Sequence, residues 1–441
     1  MPRRLAVGIL PIEIDGLVAF TQLRRYSLRC LTARDTAEDR WVSSFLPPAA
    51  IVRYSLPATC SSVEQADLSE LFTAWRRQGT LRGISHLWLD TANHDRQTLR
   101  RWTKKLHIRL IATDVERQQQ FENKIWFDRF LGKHGLPKPV SCVQTGRQLS
   151  RQLPYRRCVI QHSMSDGGEG TFFVRATAQV QTLLRSARLR ASERYLVRQF
   201  IAGTAYGITA LITPSDVQLS ALRVQEFVSA KNSQRHFLGI QWVPGDSVRK
   251  DSTKIAAVFK RVGRLLQAEG FIGFANFDFL LDRHGDVHIV ECNPRISFSQ
   301  THFALCPALL AGLNANQLFF AALLGQKRFR FPRSAGLPVS NFSGAALYLK
   351  ARPVRGKRLT IRKVFPSGIY RVRAGRVEFV SPDIRRTLRS DECIYVAAVA
   401  VGEQYPAWYD MGTIVSVFPL FSPAGRPNHS TRVLERYFNP S

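Results

Sequence analysis

The sequence predicts a multi-lobed α/β protein, and three observations lead there. Residues 1–118 alternate short apolar runs with helical stretches. Residues 119–330 carry two long apolar strands around a polar turn, and residues 331–441 read as short strands broken by Pro and Gly. At 441 residues the chain exceeds one small core; domains of ~100–200 residues give two to four units.

Composition narrows the function classes. Hydrophobic residues at 45% and charged residues at 22% exclude wholesale disorder. Uninterrupted apolar runs fall short of the ~20 residues a membrane-spanning helix needs, so no membrane partner is expected. The opening MPRRLAVGILPIEID has a basic tip, but Glu13 and Asp15 interrupt its apolar run and no small-residue cleavage site follows. It is read as a buried first strand. Seven cysteines, odd in number, scattered and without a CxxC, point to a reducing, cytoplasmic setting and away from zinc. The formal charge of +30 attracts anionic surfaces. Its Arg residues are dispersed in clusters such as Arg185, Arg188, Arg190 and Arg194, or Arg352, Arg355, Lys357, Arg358, Arg362 and Lys363, which read first as solvated faces.

In residues 1–118 the runs LAVGIL, HLWLD and IRLIAT and the helical VEQADLSELFTAWRRQG predict a parallel sheet with crossover helices. A GxGxxG is missing, so nothing argues for a dinucleotide. Residues 119–330 begin with a helix, FENKIWFDRFLGKHG, followed by strands near 157–163 and 171–175 and by YLVRQFI. A helix over 254–269 then precedes the strands GFANFDFLL and DVHIVECN. Pro332, Gly336 and Pro338 open the last unit, whose turns are placed at Pro366-Ser367-Gly368, Ala374-Gly375 and Pro423-Ala424-Gly425.

The chemistry concentrates in GFANFDFLLDRHGDVHIVECNPRIS. Asp282 to Asp286 is a turn signal, so the flanking strands should pair as an antiparallel hairpin. With the turn centred between His284 and Gly285, Asp278 lies opposite Glu291 and Asn276 opposite Asn293, all on one face. Facing carboxylates repel unless a cation neutralises them. Such oxygen-rich sets suit magnesium, which takes one or two carboxylates and leaves positions for phosphates. Asn293-Pro294-Arg295 adds a guanidinium where those phosphates would sit.

Asp278, Glu291, Asn293 and Arg295 carry the spacing of the metal-binding strand pair in ATP-grasp enzymes, and the segment resembles that superfamily. The resemblance implies an ATP-grasp fold: an N-terminal Rossmann-like (pre-ATP-grasp) α/β domain over 1–118, an ATP-grasp domain over 119–330, and a small β-rich C-terminal domain over 331–441. It implies ATP and Mg2+ (or Mn2+) as cofactors. Metal ligands would be Asp278, Glu291 and Asn293, with Arg295 and Asn293 acting in catalysis. Lys124, which alone would be read as a helix-surface lysine, becomes an α-phosphate contact. Gly167, Gly168 and Gly170, between two strands, form a phosphate-covering loop rather than a Walker loop, since no Gly-Lys-Ser/Thr follows. Gln161 stands where a second phosphate-binding Lys is common. Arg198, Gln199 and Ile201 align with the adenine-reading strand, and Ala205 falls where a ribose-binding Glu is common.

The resemblance implies a ligase that activates a carboxylate as an acyl phosphate and joins it to an amine. The Val-Ile-Gln strand, the Gly-Gly-Glu-Gly-Thr loop and PSGIY are most similar to natural-product peptide ligases of the pheganomycin type. Alternative readings are loading of an amino acid onto a carrier-protein thiol, a phosphotransferase, and a basic nucleic-acid-binding protein with a decayed ATP site. Expected partners are small carboxylate and amine substrates, an acidic peptide or carrier protein, and a second copy of the chain. Nucleic acid is the least expected partner, because an aromatic-interleaved basic stripe is scarce. His162 and His302 are read as structural.

Overall fold

The computed structural model describes residues 6–9, 23, 26–56, 68–88, 96–165, 168, 170–229, 235–245, 251–297, 299–332, 336–351, 358–399, 401–422 and 425–438. At the N-terminus, β1 (Ala6–Ile9), β2 (Ser27–Ala33), β3 (Ile51–Tyr54), β4 (His86–Trp88) and β5 (Arg109–Ile111) form one sheet in the order β3-β2-β1-β4-β5. Every pairing in it is parallel. Helices Leu68–Gln78 and Arg96–Leu106 cover it, packing Phe72, Trp75, Leu99 and Trp102 against Leu31 and Leu87. The parallel sheet expected from residues 1–118 is therefore present, with β2 and β3 as strands the apolar pattern did not single out. Much of the opening segment and part of VEQADLSELFTAWRRQG lie outside the described residues.

The predicted helix over 121–135 is two helices. Val115–Glu122 ends at Asn123, whose extended backbone (φ −65°, ψ 107°) breaks the ladder and whose side chain accepts from the Trp126 N–H to cap Lys124–Lys133. The break sets Lys124 at the first position of the new helix. A small sheet follows, β6 (Ser141–Thr145), β7 (Cys158–Gln161), β8 (Thr171–Val174) and β9 (Arg194–Gln199), ordered β6-β9-β7-β8.

The long sheet begins with β10 (Gly203–Ile212), β11 (Val217–Leu219), β12 (Arg223–Ser229), β13 (Arg235–Trp242), β14 (Gly273–Asp282) and β15 (Val287–Asn293). It continues without interruption into β16 (Ala345–Lys350) and, past the short β17 (Leu359–Thr360) and β21 (Gln404–Tyr405) that pair with each other, into β18 (Gly368–Arg373), β19 (Arg376–Ser381), β20 (Glu392–Ala397) and β22 (Asp410–Ser416). The strand order β15-β14-β10-β12-β13-β16-β22-β20-β18-β19 makes the C-terminal strands an extension of the sheet that holds the carboxylates. Helix Ser252–Ala268 buries Ile255, Ala256, Phe259, Val262, Gly263 and Leu266, one stripe at helical spacing. Those residues meet Phe277 and Phe279 of β14 and Phe127 of the helix opened by Lys124. Full burial of a ring such as Phe259 stabilises by about 2–3 kcal/mol, which fixes β14 against its helix layer and leaves the other face for chemistry.

The C-terminal region also holds a helix, His429–Phe438, that its β-rich reading did not anticipate. Val433, Leu434 and Phe438 pack it on Tyr370 and Tyr395. The six described cysteines are all free thiols. Among the described residues, no helix is long and apolar enough to cross a membrane. Arg185, Arg190 and Arg194 are exposed, while Arg352, Arg355 and Lys357 lie outside the described residues.

Glu226 sits in β12 on the face away from the carboxylates, 8% exposed, against the backbone at Gly425. Its carboxylate makes no hydrogen bond or ion pair among the described residues, and burial pushes it up to about 7 from an ordinary 4.5. The folded chain thus holds a proton that the unfolded chain has released. The contribution is complete below pH 4.5 and declines as pH rises to about 7. Glu226→Gln should therefore stabilise the chain at pH 8 and leave it nearly unchanged at pH 4.5. Parallel melting-temperature curves for the two proteins across that range would contradict this.

Candidate active site

The carboxylate hairpin forms as expected, with one difference. Asn276 pairs with Asn293 and Asp278 with Glu291, but the outer part runs Phe279 to Ile289, leaving Val290 as a bulge. The turn centres on His284, half a residue earlier than predicted, and the bulge restores the register of the inner pairs. Asp282 shapes the turn by accepting from the His284 and Asp286 N–H groups, and Gly285 takes φ 76°.

Asn293 Nδ2 donates to Asp278 Oδ2 (3.2 Å) and Glu291 Oε1 (3.3 Å), so the three side chains converge on one side of the strands. Gln225 Nε2, reaching over from β12, donates to Asp278 Oδ1 at 2.6 Å. Lys124 is buried, not on a helix surface. Its Nζ lies 3.1 Å from Glu291 Oε2 and donates to the Ser165 carbonyl at 2.5 Å. Burial and the neighbouring Glu291 charge raise Asp278 well above the ordinary carboxylate range. Burial acts on Glu291 in the same direction. There the Lys124 ammonium and hydrogen bonds from Asp278, Lys124 and Asn293 outweigh it, so Glu291 is held low. Asp278 is thus pushed up and Glu291 held low, and Lys124 is the ammonium in direct contact with the pair.

These donors fit a magnesium ion. Among the described residues no group of three or more His, Cys, Asp or Glu converges. Two carboxylates plus an amide that can turn its Oδ1 inward match an ion completed by water and phosphate oxygens.

Asn276 shares the carboxylates' face but is spent internally. Its Oδ1 accepts from Thr209, Arg223 and Ser299, and its Nδ2 donates to the Arg295 carbonyl. Arg295 lines the cleft with its guanidinium 3.2 Å from Glu122 Oε1. Arg223, 4% exposed, donates to Thr209 Oγ1 at 2.9 Å and to Asn276 Oδ1 at 3.3 Å. Gly207, between Arg223 and Asp278 across the strands, makes room for it: a Cβ there would lie 2.8 Å from Arg223 Nε.

The nucleotide side departs from expectation in detail. Gln161 is 4% exposed, and its Oε1 accepts from Arg198 Nη1 at 2.7 Å. Arg198 is itself buried and also donates to Asp128, which pairs with Lys138. Arg198 thus brings a guanidinium, and not only its backbone, to the cleft lining. The N–H groups of Gln199 and Phe200 are taken by the Val140 and Arg157 carbonyls. The Ile201 N–H has no backbone partner among the described residues. Ala205 pairs with Leu280 and lines the cleft.

Gly168 and Gly170 lie between β7 and β8 with φ 82° and 71°. A Cβ at Gly170 would come within 2.7 Å of His162 Cδ2. Gly167 lies outside the described residues. His162 is tied to Glu193 and the Arg188 carbonyl, and His302 is buried beside Trp242.

Arg223, Gln225, Arg198 as a side chain, Glu122 and Asp128 are the site residues that sequence reasoning missed. For the first two a signal existed: RVQEFVS sets Arg and Gln two apart in a strand, hence on one face.

Comparison with known proteins agrees with this geometry. Residues 121–299 match a family profile described as an ATP-grasp domain. A biotin carboxylase structure from Campylobacter jejuni aligns with TM-score 0.63 at 12% identity, covering 94% of this chain and 87% of that one. An N5-carboxyaminoimidazole synthase from Aspergillus clavatus, in complex with ADP and its ribonucleotide, aligns at 0.57 and 13%, covering 98% of each. An L-amino acid ligase from Bacillus licheniformis aligns at 0.56 and 14%, covering 100% of this chain and 98% of that one. With the hairpin, the preceding parallel sheet and the 121–299 match together, the chain has an ATP-grasp fold built around an ATP-grasp domain.

Proposed function

We propose that the chain is an ATP- and magnesium-dependent carboxylate–amine ligase, with a natural-product peptide ligase as the narrower form of the reading. The observation that carries it is the Asp278, Glu291 and Asn293 group with Lys124 beside it and the glycine-bearing β7–β8 connection above. A bound Mg2+ would neutralise the two carboxylates and orient ATP's β- and γ-phosphates.

The chain's own groups then have separable tasks. Lys124, released from Glu291, turns its ammonium to the phosphates while staying anchored at its backbone N–H to the Ser163 carbonyl. Arg198 presents its two unspent N–H groups to the same cleft, supplying the cation that Gln161 lacks. The Gln199 carbonyl and Ile201 N–H border the base. Arg295 and the N–H groups of Gly168 and Gly170 offset charge on the transferring phosphoryl group. A substrate carboxylate oxygen attacks the γ-phosphorus, the bond to the β-γ bridging oxygen breaks, and ADP departs. The amine nitrogen then attacks the acyl carbon, inorganic phosphate leaves, and the amine's proton leaves with it. Exclusion of water by the β7–β8 connection protects the acyl phosphate from hydrolysis.

The test is product analysis with paired carboxylates and amines. Equal amounts of ADP, free phosphate and amide, dependent on Mg2+ and on both substrates, are expected. ADP without free phosphate would instead indicate a phosphotransferase, and a thioester formed only with carrier protein would replace the amine as acceptor. Salt-sensitive nucleic-acid binding with no ATP consumption would end the enzyme reading.

A further inference from the structure

We propose that one end of the small sheet β6-β9-β7-β8 is a docking surface for an acidic polypeptide, held by Arg147, Arg185, Arg190 and Arg194. The surface goes beyond the ligase reading; only the use made of the docked partner rests on that reading.

Residues 141–199 contain ten arginines and no lysine, against the three acids Asp166, Glu169 and Glu193. Arginine's planar fork matches a carboxylate in a way that a lysine ammonium does not. The fold gathers four of these arginines around one turn. Thr145, the last residue of β6, lies opposite Arg194, the first of β9. The next two N–H groups, of Gly146 and Arg147, donate to the Glu193 and Ala191 carbonyls at 3.2 and 2.9 Å, so the helix Gly146–Arg151 starts on the turn. Helix Thr177–Arg185 ends there too: a Cβ at Gly146 would collide with the Arg190 carbonyl and lie 3.2 Å from Leu184 Cδ2. The fully buried Tyr195 holds the turn in shape, its hydroxyl accepting from the Arg190 N–H at 2.6 Å and donating to Glu193 Oε2 at 3.0 Å.

Positive charge here is left without a counterion. All four arginines are exposed, and none forms an ion pair among the described residues. Glu193, the acid on the turn, is taken by His162 Nδ1 at 3.2 Å and by the Tyr195 hydroxyl. Elsewhere the chain pairs the arginines it clusters: Arg371 and Arg386 share Glu392, and Arg385 is clamped on Asp383. Like charges gathered on a rigid turn repel one another, and a carboxylate-bearing chain laid across them removes the repulsion. Bases would find no platform, because Phe172 and Tyr195, the rings behind this end of the sheet, are buried.

The same end carries the glycine-bearing connection, since Gln161, Thr171 and Leu196 lie side by side there. His162 joins the two features: its N–H donates to the Gly170 carbonyl at 3.0 Å, and its ring is hydrogen-bonded to the Arg188 carbonyl at 3.1 Å. On the ligase reading, a docked polypeptide lies beside the connection that covers the phosphates, placed to offer its terminus or a side chain to the cleft.

The experiment is a fluorescence anisotropy titration of labelled poly-L-glutamate with the full chain. The triple variant Arg185→Glu, Arg190→Glu, Arg194→Glu should bind at least ~10-fold more weakly, the scale of reversing charge at a complementary contact. Arg76→Glu, Arg77→Glu and Lys104→Glu, at exposed positions on the helices of the N-terminal sheet, change the net charge equally and should together weaken binding by no more than ~2-fold. If the first triple variant fails to fold, Arg190→Gln with Arg194→Gln serves and should weaken binding ~3-fold or more. Equal losses from the two triple variants would reduce the effect to overall charge and overturn the proposal. So would displacement of poly-L-glutamate by a lower concentration of oligouridylate of equal charge, which would make the surface one for nucleic acid. If the unmodified chain binds poly-L-glutamate as described yet releases no ADP with any carboxylate and amine pair, the ligase reading fails and the docking surface stands.

Discussion

Replacing Glu291 with Gln, or Asn293 with Ala, is expected to lower Mg2+-dependent ADP release at least ~10²-fold while the fold survives, the loss seen when a major electrostatic group is removed from a catalytic site. Both side chains meet Asp278 through Asn293 Nδ2, so either change removes an oxygen from the set offered to the cation. Glu291→Gln keeps the shape and leaves an amide oxygen to accept from Lys124. The substitution also removes the Glu291 charge that, with burial, raises Asp278, so the remaining carboxylate is better able to balance Lys124. A melting temperature within a few degrees of the parent therefore accompanies the loss of turnover. Near-normal ADP release by either variant would refute the metal assignment.

The hairpin was legible because its determinants are local. A turn between two apolar runs, and side chains that alternate, fix which residues face each other. The Val290 bulge was not legible, since it arises from packing Ile289 and Cys292 into the same core as Phe277, a requirement invisible within the strand. Lys124 could be placed at a helix start but not buried, because its partner Glu291 is far along the chain and joins it only when the sheet closes on the helix. Gln161 stands where a second phosphate-binding Lys is common in the family it resembles. Arg198, on the neighbouring strand, brings a guanidinium against its side-chain oxygen, a contact between strands that reading one strand at a time misses. The fold class rested on strongly periodic segments and emerged intact. That the C-terminal strands extend the long sheet depends on the pairing of β13 with β16, which no local pattern encodes.

Lys124→Met is the second large effect. The ammonium is 3% exposed and is the cation that holds Glu291 ionised. Removing one member of a buried pair costs ~3–5 kcal/mol, and the lower end applies here because Glu291 can take up a proton instead. For a chain of 441 residues ~3 kcal/mol corresponds to a fall of roughly 3 °C in melting temperature. The charge balance then makes a sharper demand. With Lys124 gone, two carboxylates face each other with no ammonium between them, and a divalent cation should stabilise the variant more than the parent, where Mg2+ must first displace Lys124 from Glu291. Thermal melts in Mg2+ and in EDTA read this directly. Mg2+ should raise the variant's melting temperature by several degrees more than the parent's, even though the variant releases little ADP. Equal shifts in both proteins would mean that the ammonium and the metal do not compete for the Glu291 carboxylate, and the site would have to be redrawn with Lys124 outside it.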